Sequence, residues 1–247
     1  MSELAVSHDE QLLKVAELLR NHWEGTEDWG EISNYPGQAC PKRVANKFML
    51  CCLLDYQIKT DRAWENGDRL VHQLRDPEDI WATITAFTES EWESKFKELG
   101  LHRFPAAHNR LWRIGKEICS YFEGDAGRIW QNSPAFDVLC RLNYIGVGEQ
   151  ISKMIVGALR DVGQIEGKGD VKADVHICRV IGRVFFGAQA SPDTAIAVTR
   201  RLNPEDPWQM DRTLWKVGST FCYATTPNCP SCFLSTECEH AQTKNRV

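Results

Sequence analysis

The chain has 247 residues and a formal net charge of -5. A chain of this length buries about 70–75% of its unfolded surface, so neither a metal nor a disulfide is needed merely to make a core. The acidic balance excludes a protein that coats nucleic acid through bulk charge, and any contact with it must come from local patches and backbone amides. No apolar run approaches the ~20 residues of a membrane span, and Met1-Ser2-Glu3-Leu4-Ala5 lacks the basic start of a signal peptide, so a cytoplasmic location is expected.

Taken in order, Leu12, Leu13, Val15, Ala16, Leu18 and Leu19 fall at helical spacing and predict an amphipathic helix from about His8 to Trp23. Glu24 to Pro41 is rich in Gly, Asp, Asn and Pro and reads as a loop. Phe48 to Leu54 is an apolar run suited to a buried helix. It ends in Asp55, Tyr56 and Gln57, followed by a polar turn and a helix from about Ala63 to Leu74. Asp76 to Tyr121 reads as two or three more helices with a break at Leu99-Gly100-Leu101-His102-Arg103-Phe104-Pro105. There, Gly100 and Leu101 read by themselves as a helix cap and a leucine returning to the core. Ser133-Pro134 supplies a cap and a first-turn proline for a helix running toward Leu142.

A glycine hairpin follows at Ile145-Gly146-Val147-Gly148 and opens directly into a helix whose apolar face is Ile151, Met154, Ile155, Ala158 and Leu159. Such a start leaves N–H groups and the positive end of the helix dipole facing outward, which suits a backbone phosphate. After Asp174 the same spacing recurs in Ile177, Val180, Ile181, Val184 and Phe185. By itself Asp174 reads as that helix's N-cap. Further helices are expected around Thr194 to Leu202 and through Trp215, and no run alternates as a strand does, so the expected class is all-α. Of ten cysteines, six are scattered; the last four, Cys222, Cys229, Cys232 and Cys238, are clustered. Four thiols in one short stretch suit either a structural zinc or an iron-sulfur cluster.

Gly146-Val147-Gly148 before a helix, then Ala173-Asp174-Val175-His176-Ile177 with Arg179, and the spacing of the four cysteines together resemble the helix-hairpin-helix DNA glycosylases of the endonuclease III superfamily, in its iron-sulfur branch. Leu53-Leu54-Asp55-Tyr56-Gln57 and Gly100-Leu101-His102 extend the resemblance over most of the chain. It implies two helical lobes flanking a DNA-binding cleft: a central bundle over 37–168, and a discontinuous lobe of 1–36 plus 169–247. It also implies a [4Fe-4S] cluster on Cys222, Cys229, Cys232 and Cys238, with zinc as the alternative. Asp174 would be the catalytic carboxylate, and Asp55, Tyr56 and Gln150 would bound the base. Gln57 would fill the gap left by an extruded base and Leu101 would be a wedge, with His102 beside it. Gly146, Gly148, Glu149 and Lys153 would meet phosphates. The implied partner is double-stranded DNA carrying a lesion or mismatch, bound by a monomer in the nucleoid.

The departures from that pattern are informative. The strand-cleaving members carry a lysine two residues after the second hairpin glycine, where this chain has Gln150, whose amide cannot act as an amine nucleophile. A monofunctional enzyme is therefore expected, with Lys153 and Lys172 as the substitute amines that a bifunctional glycosylase/lyase would need. Leu53 stands where mismatch adenine glycosylases carry an acid, Ile145 where proline is frequent, and the loop after Cys222, Tyr-Ala-Thr-Thr-Pro-Asn, lacks the usual Lys or Arg. A non-catalytic DNA-binding scaffold is the remaining alternative.

Overall fold

The computed structural model describes residues 8–104 and 106–244, so the Met1 to Ala5 start and Pro105 of the expected break lie outside the described residues. Among the described residues there is no strand; the class is all-α. No helix is long and apolar enough to cross a membrane among them. The chain forms two compact units, one of Glu27 to Gly167 and one of the residues up to Thr26 with those from Lys168 onward. Residues 27–36, expected with the discontinuous lobe, lie in the central unit. Trp29 and Ile32 there are buried, and the Trp29 indole donates to Asp161 Oδ2 at 3.1 Å.

Helix α1 (His8–Asn21) opens the discontinuous unit. The central unit holds α2 (Lys42–Leu54), α3 (Thr60–Gln73), α4 (Ile80–Thr85), α5 (Glu89–Glu98), α6 (Ala107–Phe122), α7 (Gly127–Trp130), α8 (Ala135–Tyr144) and α9 (Glu149–Asp161). Helix α2 is its axis. Every residue from Phe48 to Leu54 is buried, as the unbroken apolar run predicts, and Phe48 meets the buried Trp130 edge-on at 6.0 Å. Asn46 is also buried on α2. Its amide donates to Gly124 O and accepts from Ala126 N–H, each at 2.8 Å, which satisfies the side chain and pins the turn before α7. Helix α3 crosses at Gly67, where a Cβ would lie 2.4 Å from Cys51 Sγ.

The other unit is completed by α10 (Val175–Phe186), α11 (Pro192–Leu202), α12 (Asp211–Thr220) and α13 (Glu239–Lys244). Its core is organised on α10, whose Ile177, Val180, Ile181, Val184 and Phe185 are all buried, as the periodicity requires. Gln11 of α1 fastens the unit's two ends by donating to Val184 O at 3.2 Å and Glu237 O at 2.7 Å.

Candidate active site

The hairpin is built from backbone geometry. Helix α8 ends at Tyr144 with Ile145 as its C-cap, after which Gly146 takes a φ of 88°, the left-handed region in which a side chain is strained. Its N–H bonds Asn143 O at 3.1 Å and Val147 N–H bonds Leu142 O at 3.0 Å, the paired closure of a glycine-terminated helix. Buried Val147 anchors the turn, and Gly148 caps α9 with no side chain over the helix end. A Cβ at Gly146 or Gly148 would meet nothing within 4 Å, so the first-turn amides of α9 open onto free space. That is the geometry an anionic oxygen needs.

Helix α9 departs from the expected one-sided pattern, because Ser152, Lys153, Val156 and Gly157 are buried along with the predicted apolar face. Lys153 is therefore not on a solvated face meeting phosphate: it is 7% exposed and its Nζ lies 2.6 Å from Glu149 Oε1. Its aliphatic stem belongs to the core, and Glu149 offsets the charge. Gln150 is half-buried, and among the described residues its Oε1 is enclosed without a hydrogen-bond partner.

At the end of α2, Asp55 is buried and accepts from Thr60 Oγ1 at 3.3 Å, a local tie across the turn that leads into α3. Gln57 is exposed with a φ of 52°, a strained conformation for a residue with a side chain. The Tyr56 ring stacks on His102 at 4.3 Å between centroids and 18° between planes. The imidazole also joins two loops: Phe104 N–H donates to Nδ1 at 3.1 Å, which leaves Nε2 to donate to Tyr56 O at 3.0 Å. Burial pushes its pKa below the ordinary histidine value, and Arg110 and Arg103 push the same way.

Leu101 is placed as its own sequence context predicts, in the core and not at an exposed tip. Its side chain is 0% exposed, its N–H closes α5 onto Phe96 O, and its carbonyl accepts from buried Asn66 at 2.7 Å. Gly100 at φ 58° is the turn glycine of a helix end, and the leucine after it fills the core. Sequence spacing gave no sign of Arg103, Phe104 and Arg110, which gather on Tyr56 and His102 instead.

In the other unit, Asp174 is the N-cap of α10. Its Oδ1 accepts from His176 N–H at 2.8 Å and Ile177 N–H at 3.1 Å, and among the described residues Oδ2 has no hydrogen bond. The carboxylate is half-buried and held in one rotamer. Beside it Arg179, 9% exposed, donates to Cys222 O at 2.6 Å, Gly218 O at 2.9 Å and His176 Nδ1 at 3.1 Å. One turn on, Arg183 donates to Tyr223 O and Ala224 O, each at 2.7 Å, and to Cys222 Sγ at 3.3 Å. The helix that carries Asp174 is thus tied by two arginines to the loop that starts at Cys222. Half-buried Lys172 donates its N–H to Asp211 Oδ1 at 2.6 Å.

Cys222, Cys229, Cys232 and Cys238 line one pocket of about 350 Å³, measured to its open mouth, with Val184, Val217 and Leu234 in its walls. Burial pushes the Cys232 thiol up to about 11 and raises that of Cys238, with their cysteine neighbours adding to both. Among the described residues no three His, Cys, Asp or Glu side chains are placed to grip one metal ion.

A hairpin of two helices over a glycine turn, an aspartate-capped helix and an all-helical chain define the helix-hairpin-helix glycosylase fold. Solved structures show that fold along nearly the whole chain. A trapped endonuclease III–DNA covalent intermediate in an estranged-adenine complex matches with a TM-score of 0.68 at 16% identity, over 96% of this chain and 99% of that one. A non-covalent endonuclease III–DNA complex matches with a TM-score of 0.67 at 17% identity, over 97% and 99%. A thermostable thymine-DNA glycosylase matches with a TM-score of 0.63 at 15% identity, over 95% and 98%. No protein-family model and no curated protein sequence matches the chain.

Proposed function

We propose that the protein is a monofunctional DNA glycosylase of base-excision repair, which hydrolyses the N-glycosidic bond of an extruded damaged or mismatched base and releases an abasic site. The observation that carries the reading is the Asp174 carboxylate on this fold. The helix uses one oxygen and leaves the other for the positive charge that builds on deoxyribose as the base departs. The open amides of α9 hold a phosphate of the same DNA. Gln150 supplies an enclosed amide edge without a partner among the described residues. Leaving such a group unpaired costs about 1–3 kcal/mol, which a hydrogen bond to a base edge offsets. Pocket hydrogen bonding, not sequence reading, then selects the base.

Two observations support the monofunctional reading: an amide occupies position 150, and the Lys153 amine is engaged by Glu149. Lys172 is the amine that the bifunctional alternative would then use. End-labelled duplexes, each with one lesion or mismatch, test both points on denaturing gels. Strand breaks that need hot alkali are the expected result. Breaks without alkali, or borohydride trapping of a protein–DNA adduct, would restore the bifunctional alternative, and no break on any duplex would favour the scaffold. Gln150→Lys is expected to gain borohydride trapping while Lys153→Gln leaves excision without alkali-independent breaks.

Cys222, Cys229, Cys232 and Cys238 share one pocket, which together with the resemblance in their spacing supports a [4Fe-4S] cluster there, with a zinc ion as the alternative. Arg183 donating to Cys222 Sγ favours a thiolate there, and four thiolates leave no coordination position for substrate. The cluster would act as a cross-link, holding the C-terminal loop to α10 and so fixing Asp174. The purified protein is expected to be brown, to contain iron and to lose both colour and most of its folded yield on Cys229→Ser. A colourless zinc protein would overturn this assignment.

A further inference from the structure

The rings of Tyr56, His102 and Phe104, next in the chain to Gln57 or on the loop after α5, form a compact cluster. Tyr56 stacks on His102 at 4.3 Å, His102 lies 5.6 Å from Phe104, and Tyr56 and Phe104 are inclined by only 21° at 6.0 Å. The guanidinium carbon of Arg110 sits 4.2 Å over the Tyr56 ring, and that of Arg103 sits 4.7 Å over Phe104. Among the described residues neither guanidinium has an ion-pair partner, although the chain carries an excess of acids. Arg103 is exposed and the other four side chains are half-buried. The cluster is rigidly founded, because both imidazole nitrogens of His102 are hydrogen-bonded and the carbonyl of the preceding, buried Leu101 is held by Asn66.

We infer that this cluster is a docking site for an unpaired nucleotide of a DNA strand, the base stacking at exposed Arg103 over Phe104 and the adjoining phosphate pairing with the arginines. Flat π surfaces accept any base, and a planar guanidinium offers both a stacking face and a forked set of donors for phosphate. Two cations without carboxylate partners select an anion, and the rings beside them select one with a planar group attached. A polymer that presents both at every repeat is single-stranded nucleic acid. The groups at the tip of the loop are Arg103 and Phe104, not the buried Leu101. The inference takes DNA as the ligand from the proposed function but needs neither Asp174 nor Gln150.

The test uses the full chain and a labelled single-stranded oligothymidylate, with a strand of equal phosphate count bearing abasic spacers for comparison. Wild type is expected to bind the oligothymidylate about tenfold more tightly than the abasic strand, the scale of one stacked base. Phe104→Leu and Arg103→Gln are expected to lose most of that preference, and Arg103→Gln also to flatten the salt dependence by about 0.7 in the log–log slope, the share of one phosphate contact on a single strand. Arg103 is exposed, so its variant keeps the fold even if the phenylalanine variant does not. Equal binding of the two strands by wild type, or an undiminished preference in Arg103→Gln, would overturn the inference. Loss of preference in the variants without base excision on any duplex would uphold the site while removing the glycosylase reading.

Discussion

Asp174→Asn is expected to slow base excision severely while leaving the fold and DNA binding intact. Asparagine caps a helix about as well as aspartate, and its side-chain oxygen can accept from the His176 and Ile177 N–H groups as Asp174 Oδ1 does. Only the negative charge and the second oxygen are lost. On the scale of other preorganised electrostatic groups, that loss costs about a hundredfold to a thousandfold in rate. Asp174→Ala separates the two roles, since it removes the cap as well and is expected to cost about 1 kcal/mol of stability besides the activity. Single-turnover excision with enzyme in excess, read beside a denaturant titration, distinguishes the outcomes. Full activity in a well-folded Asp174→Asn protein would mean that Asp174 is a cap and nothing more, and the glycosylase proposal would lose its carboxylate.

Much of this arrangement was legible because it depends on local patterns. The apolar spacing after Gly148 and after Asp174 located α9 and α10, and the glycine hairpin between periodic helices was visible as a break with a left-handed residue in it. The unbroken apolar run at Phe48 to Leu54 announced the axial helix, since only a helix covered on all sides needs no polar face. What was hidden depends on which face meets what. A lysine at position 153 reads as a solvated charge until α9 is seen to be buried nearly all round, which spacing along one helix does not reveal. Leu101 follows a turn glycine, and both a wedge and a core leucine can stand there. The structure places it in the core, its carbonyl held by the hydrogen bond from Asn66, a residue distant in sequence. The Tyr56 ring cluster was likewise out of reach, because Arg110 comes to it from α6 and neither periodicity nor motif links the two. Glu24 to Pro41 reads as a loop from its Gly, Asp, Asn and Pro, yet Gly30–Asn34 forms a short 3-10 helix that seats Ile32 in the core.

Gly182→Ala is expected to destabilise the fold strongly, because the added methyl group meets backbone atoms. Within a helix alanine is preferred to glycine by about 1 kcal/mol, so the substitution read from sequence alone would be stabilising. The structure reverses the sign. A Cβ at position 182 would lie 2.2 Å from both Ala188 O and Ala190 N and 2.6 Å from Gln189 C. All three are backbone atoms of the loop between α10 and α11, and that loop cannot swing aside freely. It leaves α10 through Gly187 at φ 68°, and its Ala190 N–H is bonded to Cys178 O at 3.1 Å, one turn before Gly182. Making room therefore means breaking that hydrogen bond or displacing α10 from a core it shares with α11 and α12. Overpacking against mobile side chains costs about 1–3 kcal/mol, and against a tethered backbone the cost lies at or above the top of that range. The propensity gain recovers only a part. Because α10 carries Asp174 at its start and bonds the Cys222 loop through Arg179 and Arg183, the same displacement disturbs both features. Gly182→Ala is expected to fall by about 3 kcal/mol in denaturant unfolding, with loss of excision and of cysteine-pocket metal together. An unchanged midpoint would show that the loop is free to move, and would remove the close approach at Gly182 as the reason for a glycine there.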